Sequence, residues 1–353
     1  MTVQELDLAG IKDSGLRSDY LTASRLFKEI GRGRFLGRYM FPKAKRPYFD
    51  TFFAFVCYID DIADEVDHSL EIRAQRLDEW DRTYQAVLKG EQLPEPWQLS
   101  KSQQTDAALA RALIHTMRTW DLPYLRVPEF VEGHRKAMNT FEYADDAHLD
   151  EFIQTVSLLP AVWINQIFEP LHPEAETLCR ETITAFQLID FVWDVEEDLE
   201  LGRLYLPNDH LARYNLTRED LTRQIGSGSI TDSVRELMEY EIGVARSHLE
   251  AGRAWPSMLH PTSRTFMETD IKTHEAMFAE LTKNDFAFFK QPQKGGGEAS
   301  APRVPPPPRG RARPPPGAPP PRAQTLPPQS PPWNVRLMTS SCCSRVRRTK
   351  FTA

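Results

Sequence analysis

A chain of 353 residues with 41% hydrophobic side chains can hold one large domain or two ordinary ones around a real core. Its net charge of −7 conceals a body of −17 over residues 1–290 and a tail of +10 over residues 291–353; so acidic a body argues against nucleic acid as a partner. No segment approaches the ~18–20 consecutive apolar residues of a membrane-spanning helix.

Residues 1–20 are polar, with Glu5, Asp7 and Asp13 among them, and read as a loose lead-in. They lack the basic and apolar regions of a signal peptide. Residues 21–290 read as a single all-α domain: apolar residues recur at three- and four-residue spacing and β-branched residues do not alternate, which gives about ten helices. Breakers fall at Pro42 and Pro47, Pro94 to Pro96, Pro170 and Pro173, Gly226 to Gly228, and Pro256 and Pro261.

Within this domain Arg32, Arg34, Arg38, Lys43, Lys45 and Arg46 precede an apolar run, Phe52 to Ile59. That run leads into Asp60-Asp61-Ile62-Ala63-Asp64-Glu65-Val66-Asp67. A second apolar run, Ala185 to Ile189, leads into Asp190-Phe191-Val192-Trp193-Asp194-Val195-Glu196-Glu197-Asp198, and Gly202-Arg203-Leu204-Tyr205-Leu206-Pro207 follows. Amphipathic segments then run from Leu237 to Leu249 and from Phe266 to Phe286.

From residue 291 the composition changes: 16 of the 28 prolines lie there, and the stretch is expected to be a disordered, Pro/Arg-rich tail. It reads as a PxxP ligand, as a basic membrane tether, or as GC-rich DNA translated out of frame. Such an artefact, or a neutral tail, is favoured, because the helical pattern stops without a cap. Cys57 and Cys179 are isolated and Cys342-Cys343 are adjacent, so no disulfide framework is expected, in keeping with a cytoplasmic protein. No CxxC or HExxH pattern points to zinc. None of the nine His sits in a nucleophile arrangement; His68 and His210 adjoin the motif segments and are expected to be solvated.

The acidic clusters carry the chemistry. On a helix Asp60, Asp64 and Asp67 share one face, as do Asp190, Asp194, Glu197 and Asp198. Like charges so placed destabilise a helix unless a cation neutralises them. Hard oxygens suit Mg²⁺, which bridges carboxylates to substrate phosphates and stabilises charge on a leaving diphosphate. The plainer alternative is a solvated acidic face. It suits a single cluster better than two, each adjoining an apolar helix. Arg38 and Arg203, beside the two clusters, are candidates to grip phosphate oxygens. Phe35, Tyr39, Phe191 and Trp193 lie near the clusters with π faces that could meet a cation; for all but Trp193, core packing is the stronger reading.

Phe55 to Glu65, Phe186 to Asp198 and Gly202 to Pro207 together resemble the squalene/phytoene synthase family, across roughly residues 20–290. The first two segments look like its aspartate-rich motifs and the third like the segment after the second motif. The resemblance implies an all-α isoprenoid synthase fold with a central cavity, in which Asp60, Asp64, Asp194 and Asp198 bind Mg²⁺ and are the catalytic carboxylates. It also implies prenyl diphosphate substrates, with Arg38, Arg203, Tyr205, Asp190 and Trp193 as substrate-binding residues. A carbocation, sheltered from water, would then be joined to a second prenyl diphosphate. Peripheral membrane contact is implied by greasy products, although no amphipathic anchor is evident.

The chain departs from the family pattern at several points. Cys57 stands where phytoene synthases have Arg, Arg34-Phe35 where they have Ser-Phe, Asp190 where Asn is common, and Trp193 where Arg is frequent. Val156-Ser157-Leu158-Leu159-Pro160-Ala161-Val162-Trp163 replaces a small-residue helix and is expected to shrink or reshape the cavity. Gln187 to Phe191 is similar to the hydroxysqualene-forming branch. A smaller cavity would also suit prenylation of an aromatic acceptor in secondary metabolism. A terpene cyclase is disfavoured because Asp190 to Asp198 lacks the required Ser/Thr. A non-catalytic helical interaction protein would show no Mg²⁺ dependence.

Overall fold

The computed structural model describes residues 1–31, 33–283 and 286. Within them every regular element is helical, and the extended contacts are two isolated bridges, Glu142 with Leu204 and Pro170 with Leu259. The all-α expectation holds, with more and shorter helices than about ten. Elements such as Asp146–Phe152 and Asn208–Arg213 are too short to print a clear period. The expected tail, residues 291–353, lies outside the described residues.

Two long helices organise the site. Arg46–Asp64 starts with Pro47 in its first turn, where a missing N–H costs nothing. It buries Phe49, Phe52, Phe55, Val56, Ile59 and Asp60, so its apolar face runs directly into the first acidic cluster. Ala175–Trp193 packs along Asp232–Gly252. The backbones meet so closely at Gly252 that a Cβ there would lie 2.3 Å from Thr182 Oγ1 and 2.6 Å from Thr182 N. Only glycine allows that approach.

The lead-in is not loose. Val3–Leu8 is a helix with a Thr2 capping box, and Ser14–Ile30 is capped by Asp13. Glu5 is buried and accepts from Arg38 (3.0 Å) and Arg46 (3.1 Å). The polar composition was misleading because Leu6, Ile11 and Tyr20 reach the core, and Glu5 is buried as part of an ion-pair network. No described helix is long and apolar enough to cross a membrane.

Candidate active site

The first acidic helix ends at Asp64, and Glu65 leaves the helical conformation, so Asp67 does not extend the face as its spacing predicts. Asp60 is buried and Asp64 half-buried. The second cluster sits where Ala175–Trp193 gives way to Val195–Glu200 at Asp194. Helical hydrogen bonds continue through this junction, from Asp194 N to Asp190 O (2.8 Å) and from Asp198 N to Asp194 O (2.9 Å). Asp190, Asp194 and Asp198 therefore stack on successive turns.

Arg203 ties the clusters together. Its Nη1 lies 2.6 Å from Asp64 Oδ1, and its N–H donates to Asp198 O (2.8 Å). Burial pushes the Asp198 carboxyl well up, and repulsion from Asp194, Glu197 and Asp64 adds to this against the pull of Arg203. Carboxylates of both motifs thus feel one another across a shared, partly desolvated space. Such a donor set fits a hard divalent cation. Among the described residues no three His, Cys, Asp or Glu converge on one ligating point. Mg²⁺ usually takes one or two protein carboxylates and completes its shell with phosphate and water.

The other expected residues divide. Tyr205 is buried, stacked on Phe191 with centroids 4.4 Å apart and rings within 1° of parallel. It anchors the segment that presents Arg203. Trp193 is half-buried against the core. Asp190 lines a partly open cavity. Arg38 is not brought to the site: it is buried between Asp50 (2.8 Å) and Glu5 (3.0 Å), where it holds the N-terminal helices. Arg34, one turn earlier, lines the cavity instead. Phe35 packs on Phe27, and Tyr39 is exposed.

Three residues escaped the sequence reading. Arg73, buried, donates to Ala63 O (2.7 Å) at the end of the first acidic helix and lies in the field of Asp64, Glu65 and Arg203. His134 places Nε2 3.7 Å from Asp60 Oδ1, and His274 places Nε2 4.0 Å from Asp190 Oδ1. Burial holds both imidazoles below their ordinary pKa. Each reads in sequence as a routine helical residue; only the tertiary fold sets it against an aspartate. His210 is also buried, bound to Glu241 (2.8 Å) and Asp146 (3.2 Å), not solvated as expected.

The cavity, open on one side, has a volume of about 160 Å³ between aromatic walls that include Phe52, Phe186, Trp255 and Phe266. The Val156 to Trp163 segment divides between two surfaces. A π-turn, Ile153–Leu158, precedes Pro160, whose missing N–H interrupts the helical ladder. Val156, Ser157, Pro160 and Ala161 face the cavity. The bulky Leu159, Val162 and Trp163 line a separate groove.

This all-helical fold, with two facing aspartate motifs beside an aromatic-walled cavity, defines an isoprenoid-synthase type of protein. The model of the squalene/phytoene synthase family matches residues 27–303, and the chain belongs to that family. It is 23% identical to a 15-cis-phytoene synthase of Synechocystis over 269 residues, covering 73% of this chain and 74% of the relative. To a phytoene synthase of Arthrospira platensis it is 24% identical over 292 residues, 78% of this chain and 88% of the relative. Its fold matches squalene synthase HpnC from Alicyclobacillus acidocaldarius with a TM-score of 0.67 at 24% identity, covering 79% of this chain and 98% of that one. A ligand-bound dehydrosqualene synthase matches with a TM-score of 0.63 at 16% identity, covering 77% and 88%. The protein is a prenyl-transferring enzyme of isoprenoid biosynthesis, and its homologues support head-to-head condensation of prenyl diphosphates.

Proposed function

We propose that this enzyme ionises an allylic prenyl diphosphate in a Mg²⁺-dependent step and joins the carbocation to a second prenyl diphosphate. The observation that carries this reading is the Arg203–Asp64 contact, which draws the two acidic motifs around one space. Asp60, Asp64, Asp194 and Asp198 are the residues that would hold Mg²⁺, which when bound would supply Lewis-acid stabilisation of the departing diphosphate. Arg203 and Arg73 add fixed positive charge where diphosphate leaves. The aromatic walls exclude water and offer π faces to the cation.

One observation favours transfer to an aromatic small molecule as the second reading. A cavity of about 160 Å³ is of the order that takes a single benzene-sized guest. Two long prenyl chains would extend beyond a pocket of this volume.

The test is incubation of the full-length protein with Mg²⁺ and C10, C15 or C20 allylic diphosphates, each with and without an aromatic acceptor. Release of diphosphate with a C30 or C40 product supports the first reading, and a prenylated acceptor supports the second. No diphosphate release from any donor contradicts both.

A further inference from the structure

Ionisation as proposed above draws on oxygen ligands alone, yet a nitrogen donor stands beside the first motif. His134 lies in the last turn of Val127–Ala137, and Asp60 lies near the end of Arg46–Asp64. Their side chains are 4% and 7% exposed, and His134 Nε2 is 3.7 Å from Asp60 Oδ1, beyond a direct hydrogen bond. On the other side of the ring, Nδ1 lies 3.0 Å from Phe130 O. A carbonyl oxygen only accepts, so Nδ1 carries a proton and Nε2 is the ring nitrogen left to a ligand. An imidazole held by a backbone carbonyl in this way has the orientation that metal-bound histidines show. The Phe130 ring packs across it, with centroids 4.4 Å apart, and holds its aim.

The separation bears on which ion fits. Two ligands about 2.1 Å from one ion stand roughly 3.4 Å apart at a tetrahedral angle and roughly 3.0 Å apart at a right angle. The 3.7 Å between Nε2 and Oδ1 is nearer the tetrahedral spacing than the octahedral one that Mg²⁺ demands. Imidazole nitrogen also suits first-row transition ions, whereas Mg²⁺ takes oxygen. The Asp64 carboxylate, one turn past Asp60, extends its negative field to the same imidazole, which favours a cation there. The second motif has a similar pair in a different setting. His274 Nε2 is 4.0 Å from Asp190 Oδ1, and its Nδ1 is 2.9 Å from Asp270 O. At that ring the Arg34 guanidinium works against Asp270, so a cation gains less.

We propose that Asp60 Oδ1 and His134 Nε2 are ligands of one divalent ion, and that this position selects a transition ion of the Zn²⁺ or Co²⁺ type over Mg²⁺. Substrate phosphate and water complete its shell. The inference deepens the metal-assisted ionisation proposed above and rests on it for the use of the ion; binding itself is measured without substrate.

The test titrates the full-length protein with Co²⁺ and, separately, with Mg²⁺ by isothermal calorimetry, and records the visible spectrum of bound Co²⁺. The wild type is expected to bind Co²⁺ at least about tenfold more tightly than Mg²⁺, with the strong absorption of a four- or five-coordinate ion. His134→Phe is expected to lower that preference about tenfold or more and to weaken the band, with little change in Mg²⁺ affinity. His134→Gln, which keeps a polar side chain at this buried position, is expected to do the same, and circular dichroism checks the fold of both. Equal affinity for the two ions in the wild type, or a preference unchanged in the folded variants, overturns the inference. So does a loss that follows His274→Phe in place of His134→Phe, which puts the ion at the second motif. Diphosphate release that requires Mg²⁺ without any preference for Co²⁺ sinks this inference alone, whereas release that ignores a chelator sinks the ionisation reading with it.

Discussion

Arg203 Nη1 sits 2.6 Å from Asp64 Oδ1, although 139 residues separate them in the chain. Both side chains are largely shielded from solvent, so the pair is screened less than a surface ion pair. It also sets the spacing of the two acidic motifs. Arg203→Gln is expected to lower diphosphate release by about 10²-fold, the scale of losing one preorganised charge at a reacting centre. Steady-state kinetics on Arg203→Gln, Asp64→Asn and the double variant form the check. Coupling above about 1 kcal/mol is expected, and additive losses would mean the contact does not organise the site.

Arg38 provides the contrast. The sequence places it among basic residues ahead of the first motif, where a substrate contact is the natural expectation. The fold uses it to neutralise Glu5 and Asp50. The Glu5 carboxyl, although burial raises it, is held down to about 2 by its bonds to Arg38, Thr2 and Arg46. Arg38→Ala leaves the buried Asp50 without its cation and Glu5 with Arg46 alone, and is expected to cost about 3–5 kcal/mol in urea denaturation. The Glu5 contribution is present above the unfolded carboxylate range near pH 4.5 and is lost as pH falls through about 2. A raised KM with stability intact would return Arg38 to the substrate site.

Much of the arrangement was legible because the carboxylates break a rule: they adjoin apolar helix and share faces at helical spacing. Asp60, Asp64, Asp190, Asp194 and Asp198 were singled out that way. Arg73, His134 and His274 were not, since nothing in a helical period says which distant helix a side chain will face. The Val156 to Trp163 segment shows the same limit. Its bulk is plain in the sequence, but the turn created ahead of Pro160 decides that Trp163 faces away from the cavity.

Gly252→Ala tests the packing of the two central helices. The added Cβ would lie 2.6 Å from Thr182 backbone nitrogen, which no rotamer change relieves. A loss of about 1–3 kcal/mol is expected from thermal or chemical denaturation. Unchanged stability would mean that Ala175–Trp193 and Asp232–Gly252 are not in such close contact.

His210 gives a pH signature. Burial opposes its charge, but Glu241, then Asp146 and Asp209, outweigh that and hold the imidazole above its ordinary value. The folded state binds this proton more tightly than the unfolded one. Its stabilisation is therefore complete below about pH 6.5 and fades as pH rises through the raised folded value. The Tm gap between wild type and His210→Gln is expected to be widest at about pH 5.5 and to narrow toward about pH 9. A gap that widens with pH contradicts the assigned ion pairs.

The most direct test is release of inorganic diphosphate from farnesyl diphosphate by the full-length protein, with Mg²⁺ and with a chelator, for the wild type and Asp194→Asn. The account predicts release that stops with the chelator and falls by about 10²–10³-fold in the variant. Release that ignores both the chelator and Asp194→Asn, or no release from the wild type, would contradict a Mg²⁺–diphosphate site between the two motifs.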